Sequence, residues 1–528
     1  MKYWIEIAVF TAIACVLILL IAPELSWINT DSDGAHYLMS AKYITVAHHL
    51  SAPLYILLGH LFLYLPFGTE AWRLGLMSAL GTIGTVVFVY LIVRKLSNRY
   101  YGMMSALIYG GSALVISQST IIETYTLSTM CGVGAYYFAL NKRWAWASVF
   151  LGIGLVIHPF LSFIVWVVLF IMYKEMRNWR RYSITIAFFI FYLYIPIVGH
   201  IHPEGNIWGN TTTGGFFGGA LGLITMLSGG LSVWDLPKRI LDTIGILAVS
   251  LGLGIIITVW HLIKTRTWRY GLLWLFLIPI IYFTTNLSAE TYVYLLPSIA
   301  FGSVITGVAL SKMNIKWLYA TSAVAVALLA FNVNYFDIGR TLDPNLSAHK
   351  FYTEELPKLK DGDILLAGGW TWAIGFLYNK EENRDITPIC IDILPSNKYL
   401  DQIESNGIKV ERTTSERHVD KQWENALSIA QLNDNVWIVK EIHPSSYEYE
   451  IVPAKNNLDL ITRWLGYEVP AEFRWKPSNP YLFIVGGLEV TEWKFVLKSN
   501  HNCLFLAFGI GFIILIFRKK KVNAQSNA

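Results

Sequence analysis

The chain has 528 residues, 54% hydrophobic and only 15% charged, with a formal net charge of +5. With a mean hydropathy of +0.46, it is too apolar to be a soluble domain and reads as a polytopic membrane protein. Nucleic acid is not an expected partner. The four cysteines are far apart, with Cys15, Cys131 and Cys503 in apolar runs and Cys390 alone in a polar region, so neither a disulfide nor a metal framework is expected.

In chain order, the first apolar run covers about residues 7–23, follows Lys2 and lacks a small-x-small cleavage pattern. It is expected to be a retained anchor with its N-terminus in the cytoplasm. At about 20 apolar residues per span, further spans are expected near 72–93, 102–118, 124–140, 144–157, 159–173, 183–200, 240–261, 271–285, 292–310, 317–333 and 497–517. The fold class is therefore α-helical and polytopic, with about twelve spans.

Alternating the spans from a cytoplasmic start puts Arg94, Lys95 and Arg99 inside, then Lys142 and Arg143, then Lys174, Arg177, Arg180 and Arg181. Lys264, Arg266 and Arg269, then Lys312 and Lys316, and finally Arg518 to Lys521 fall on the same side. The opposite loops around 118–124, 157–159, 201–233 and 286–291 carry no Lys or Arg. Asn210, Asn286 and Asn345, each in an Asn-x-Ser/Thr sequon, also fall outside.

The outer loop of about residues 24–71 contains "YLMSAKYI" and "PLYILLGHLFLYLPFG", which suit helices lying at the membrane interface. Residues 334–495 differ, because charges are dense and the short apolar runs "GDILLAGG", "ITPICIDIL", "NVWIVK" and "YLFIVGG" alternate with helix-compatible stretches. They predict an external α/β domain large enough for an independent core. The organisation is then a transmembrane module at 1–333, the external domain at 334–495, and a last span with a basic cytoplasmic tail at 496–528.

Ionisable residues at membrane depth are expensive and are retained mainly where they have a task or a partner. Here Asp31, Asp33, Glu123, His158 and Glu290 all fall on the outer side. Each also has a plainer reading: Asp33 as the cap of the helix that "DGAH" begins, Glu123 in an interfacial ion pair, His158 satisfied at a helix break before Pro159, and Glu290 as a solvated loop acid. Asp31, Asp33 and Glu123 together could hold a divalent ion, although acid-x-acid spacing is a weak signal for one.

At these residues the sequence becomes recognisable. "DGAHYLMSAKYITVAHHLSAPLYILLG" resembles the first outer loop of the GT-C membrane glycosyltransferases, in their protein O-mannosyltransferase-like branch. With Asp33 on the family aspartate, His48 falls on its histidine and Pro53, Leu54 and Tyr55 on its Pro-Leu-Tyr without a gap. "SQSTIIETYTL" resembles a second motif, carrying Gln118, Glu123 and Tyr125 across. "GLVIHPF" is similar to the histidine-containing outer turn at His158, and "AETYVYLLPS" to a late acid, Glu290, followed by Tyr-x-x-Pro. Two departures stand out. His36 occupies the place of a family glutamate, which leaves Asp31 as the candidate for the second acidic place, and the family's Pro-Pro-Gly is Leu-Ser-Ala here.

The resemblance implies a GT-C fold and an inverting transfer of a hexose, mannose favoured, from a polyprenyl-phosphate donor to a protein or glycan hydroxyl, without a metal or other cofactor. Asp33, with Asp31 and Glu123, is the expected catalytic group. His36, His48, Tyr55, Gln118, Tyr125, His158 and Glu290 are the expected substrate contacts. The leaving phosphate needs positive charge or convergent donors. Lys42, Arg73, Lys238 and Arg239 are the outer-side candidates, the last two being equally suited to snorkelling. The expected location is the plasma membrane, with the site on the extracytoplasmic side. A transporter or flippase of lipid-linked saccharide, binding its cargo through the same acids, is the alternative.

Overall fold

The computed structural model describes residues 34–47, 52–119, 121–202, 236–264, 272–285, 293–335, 350–415, 418–443 and 448–462. The expected spans at 7–23 and 497–517, the run "YLFIVGG" and the three sequons lie outside the described residues.

The helical part begins with two short elements, α1 (Gly34–Tyr43) and α2 (Pro53–Phe62). Next comes the 27-residue α3 (Glu70–Leu96), about 40 Å long at the helical rise. Its ends are set locally. The Thr69 side chain accepts a hydrogen bond from the Trp72 N–H at 3.1 Å, Glu70 sits in the first turn, and Arg94 and Lys95 sit in the last turn, where the helix dipole favours cations.

The bundle continues with α4 (Arg99–Gly110), α5 (Ala113–Ser119), α6 (Tyr125–Leu140), α7 (Trp144–Ile157), α8 (Pro159–Met172), α9 (Trp179–Ala187), α10 (Tyr194–Ile201), α11 (Leu236–Leu251), α12 (Leu253–Lys264), α13 (Leu272–Thr285), α14 (Leu296–Leu310) and α15 (Ile315–Tyr335). Among the described residues, three helical stretches are long and apolar enough to cross a membrane: Glu70–Leu96, Trp179–Ile201 and Val293–Leu310.

Two expected spans are broken. The one near 102–118 divides into α4 and α5 around Gly111 and Ser112. The one near 240–261 is bent by 106° between Thr243–Leu251 and Leu253–Ile263. Gly252, at the bend, has φ +55°, a left-handed conformation that glycine adopts without a steric penalty. A bundle of full-length, short and broken helices thus stands where about twelve spans, several of them short, were expected.

The basic turns gather at one end of this bundle. Lys95 Nζ donates to Asn141 Oδ1 at 2.7 Å, joining the end of α3 to the end of α6. The Arg181 guanidinium lies 5.5 Å from the Trp144 ring, joining the start of α9 to the start of α7. The starts of α3, α6 and α14 and the α7–α8 junction occupy the opposite end, because each of those helices runs away from it.

Residues 350–462 include a four-stranded sheet in the order β2-β1-β3-β4, where β1 is Ile364–Ala367, β2 Thr387–Cys390, β3 Val436–His443 and β4 Glu448–Pro453. β1 pairs parallel to β2 and to β3, and β3 pairs antiparallel to β4. Helix α16 (Gly369–Glu381) connects β1 to β2, while α17 (Asn397–Ser405) and α18 (His418–Leu432) precede β3. All four residues of β1 are buried, as a central strand covered on both faces must be.

This α/β unit does not keep a core to itself. Its buried residues Leu365, Leu366, Trp372, Ile389 and Ile438 form one continuous apolar cluster with Tyr37, Met39 and Ala41 of α1, Tyr55 and Ile56 of α2, and Leu74 of α3. Most of the remaining helices share a second cluster. Helix α1 is consequently a core element and not an interfacial one. Eight of its ten residues, Gly34 to Ala41, are buried, because α16 covers the face that the sequence suggested would meet lipid or solvent.

Candidate functional site

The best-defined candidate is Glu123, one residue before the α6 N-cap Thr124, and only 3% exposed. Its backbone is held from α3: the Ser78 hydroxyl donates to the Glu123 carbonyl oxygen at 2.9 Å, and the Glu123 N–H points back to Ser78 Oγ at 3.3 Å. The carboxylate Oε2 accepts from the Thr124 N–H at 3.3 Å. A negative charge at the start of α6 is also favoured by the helix dipole. Tyr55 of α2 is fully buried, and its ring packs edge-on against Tyr37 of α1 with centroids 4.9 Å apart.

His158 sits between α7 and α8 with extended backbone, φ −151° and ψ 102°. Pro159 follows at the first position of α8, where its missing N–H leaves no helical bond unmade. The His158 carbonyl accepts from Ser128 Oγ of α6 at 3.2 Å, and its N–H donates to the Gly154 carbonyl at 2.8 Å. Its ring meets Tyr125 at 5.1 Å and Tyr294 at 5.7 Å, and those two tyrosines lie 5.9 Å apart. The second and third motifs, and the Tyr-x-x-Pro of the fourth, therefore converge through their aromatic rings. Gln118 of α5, 3% exposed, has a buried carboxamide oxygen with no hydrogen-bond partner among the described residues, leaving an acceptor suited to a hydroxyl donor.

His36 of α1 is buried, and its ring faces Trp372 of α16 at 5.8 Å. Two of the expected phosphate-binding cations have protein partners. Lys42 Nζ bridges Glu70 Oε2 at 2.8 Å and Glu381 Oε1 at 2.6 Å. Partial burial works against its charge, but hydrogen bonds with Glu381 and Glu70 outweigh that and raise its pKa. The Arg73 guanidinium donates to the carbonyls of Leu63 and Phe67 at 2.6 and 3.0 Å, closing the turn between α2 and α3.

Asp31, Asp33, His48 and Glu290 lie outside the described residues, as do the side chains of Lys238 and Arg239, whose backbone forms the first turn of α11. Asp33 directly precedes Gly34, the first residue of α1. Among the described residues no group of three His, Cys, Asp or Glu side chains could hold a metal ion.

The stretch that carries His48 is bounded by two non-glycine residues in left-handed conformation, Ile44 at φ 51° and Ala52 at φ 28°. Ala52 precedes Pro53, where extended backbone is the rule. Each such residue costs on the order of 1–2 kcal/mol, so the packing around Ile44 and around Ala52 must hold those two residues in place.

The sequence did not single out Ser78, Tyr294 or Trp372. The Tyr-x-x-Pro pattern contained Tyr294, whereas Ser78 and Trp372 had no local signal.

Residues 33–194 match the model of the protein O-mannosyl-transferase TMEM260 N-terminal domain. No curated protein matches the chain. Among solved structures, the oligosaccharyltransferase of Archaeoglobus fulgidus in its apo form is similar at 11% identity and a TM-score of 0.50, over 89% of this chain and 72% of that one. ArnT from Cupriavidus metallidurans bound to undecaprenyl phosphate is similar at 13% identity and a TM-score of 0.49, over 72% of this chain and 89% of that one. At such identities the likeness to the oligosaccharyltransferase is one of fold. Residues 33–194 are thus similar to the protein O-mannosyl-transferase TMEM260 N-terminal domain, in keeping with the resemblance of the motifs in that stretch to the O-mannosyltransferase-like branch of the GT-C membrane glycosyltransferases.

Proposed function

We propose that the chain is an inverting glycosyltransferase that moves a hexose, mannose favoured, from a polyprenyl-phosphate donor to a protein Ser or Thr hydroxyl at the outer face of the plasma membrane. The observation that carries this reading is the match of residues 33–194 to a protein O-mannosyl-transferase domain, with Glu123, Tyr125 and His158 of that stretch gathered at one end of the bundle. A site outside the cytoplasm has no nucleotide-sugar pool. A lipid phosphate supplies both passage through the bilayer and a good leaving group.

In this reading Asp33 accepts the proton of the acceptor hydroxyl as its oxygen attacks the anomeric carbon opposite the phosphate. A carboxylate is too weak a base to deprotonate an alcohol in advance, so proton transfer accompanies attack and positioning dominates the rate. Glu123 serves with Asp33 as a catalytic carboxylate and the buried acceptor on Gln118 binds a sugar hydroxyl, with Tyr125, His158 and Tyr294 forming the wall of the site. Lys42 and Arg73 have protein partners, and Lys238 and Arg239 are the proposed cations for the departing phosphate. Their helix α11 packs against α5, the helix of Gln118.

The test is an assay of the purified full-length chain with labelled polyprenyl-phosphate hexoses and Ser/Thr peptides. Label moving to the peptide hydroxyl, with mannose the best sugar, is the expected result. Absence of transfer from every such donor, with label merely crossing the membrane in proteoliposomes, would favour the transporter.

A further inference from the structure

We infer that the α/β unit is a positioning element of this site, holding α1 through α16, with Trp372 and Glu381 as the positioning residues. The inference rests on the proposed activity only for its catalytic consequence.

An isolated helix shorter than about 12 residues does not hold its own shape in water. Helix α1 has ten residues, no acidic residue in its first turn, and ends at the left-handed Ile44. Its geometry must come from its neighbours. On one side it packs on α2, where Gly59 lies so near that a Cβ there would stand 3.2 Å from Ala41 Cβ.

Helix α16 supplies another side, and the two helices run in the same direction. His36 meets Trp372, Tyr43 meets Phe376 at 6.1 Å, and Lys42 binds Glu381. Both ends of α16 are fixed to the sheet unit. Trp372, 1% exposed, donates its indole N–H to the Pro388 carbonyl of β2 at 3.0 Å, and Glu381 Oε2 accepts from Tyr352 at 2.7 Å. Lys42 also binds Glu70 in the first turn of α3, so a single ammonium group joins the loop helix, the membrane bundle and the α/β unit. His36 lies in the first turn of α1, so a shift of α16 is transmitted to the start of that helix, and Asp33 is the residue next to it in sequence.

The experiment compares the full-length chain with Trp372→Ala, Trp372→Phe and Glu381→Gln, using Arg412→Gln as the control. Arg412 pairs with Asp401 and Glu404 on an exposed part of the α/β unit. Hydrogen exchange of the peptide covering 34–43 should accelerate about tenfold or more in Trp372→Ala, and less in Glu381→Gln, as expected when a local opening loses part of its protection. Trp372→Phe should restore most of the protection, and Arg412→Gln should leave it unchanged. In the transfer assay, kcat should fall about tenfold or more in Trp372→Ala while donor KM stays within about twofold, the mark of lost positioning.

Wild-type exchange at 34–43 in folded Trp372→Ala and Glu381→Gln would overturn the inference. If Trp372→Ala does not fold, Glu381→Gln decides. Faster exchange in a chain that transfers nothing would leave the positioning role standing and remove the proposed activity instead.

Discussion

Asp33→Asn is expected to lower transfer by about 10²- to 10⁴-fold, the usual contribution of a positioned general base, while leaving donor binding nearly unchanged. Asparagine keeps the shape and hydrogen-bonding capacity of the side chain but cannot take up the acceptor proton. A loss in kcat with KM preserved would identify an interaction made only in the transition state. His36 stands where the resembled branch has a glutamate, so Asp31→Asn gives an informative comparison. A comparable loss there would make the pair of aspartates the catalytic unit, and a small one would leave Asp33 to act alone. If Asp33→Asn transfers at the wild-type rate, Asp33 is only the cap of α1.

Gly81→Ala should disrupt the site from within the bundle. A Cβ at Gly81 would stand 2.6 Å from the Leu127 backbone nitrogen and 2.7 Å from the Thr126 carbonyl carbon. Small residues at helix interfaces permit such close backbone approach, and here nothing but backbone is available to give way. The first turn of α6 would have to move, yet the residues just before it are tied to α3 by the Ser78 bonds to Glu123.

Overpacking of this kind costs roughly 1–3 kcal/mol, occasionally more, so a clear drop in thermal unfolding temperature is expected together with loss of transfer. Gly84, one turn on, provides the contrast. Its Cβ would collide with Met130 Sδ, but that is the end of a flexible side chain that can swing away. Gly84→Ala should therefore cost much less than Gly81→Ala, and equal losses would show that the backbone approach is not the limiting contact.

Much of the helical layout was legible because hydropathy acts over a whole span. The run expected near 72–93 is α3, and the Trp144–Ile157 helix has the limits expected for it. Breaks were harder to see, since Gly252 and Gly111 look like any glycine in an apolar run until φ or the helix direction is known. Three of the four quoted strand runs include β1, β2 and the first part of β3. β4, "EYEIVP", was missed because six residues carrying two glutamates give a weak alternation signal.

The site motifs were legible one by one, since each is a local string, but their meeting was not. Tyr125, His158 and Tyr294 come together only through the helix packing, and the Lys42–Glu381 pair is separated by 339 residues. The same separation explains why α1 was expected at an interface: its own ten residues give no sign that a distant helix covers them.

The central claim is attack by an acceptor hydroxyl on the face of the sugar opposite a lipid phosphate, with a carboxylate taking the proton. The measurement that tests it most directly is the anomeric configuration of the product, determined by NMR after transfer from a polyprenyl-phosphate mannose of defined β configuration. An α-linked mannose on the peptide hydroxyl is the predicted result, and a β-linked product would contradict the account.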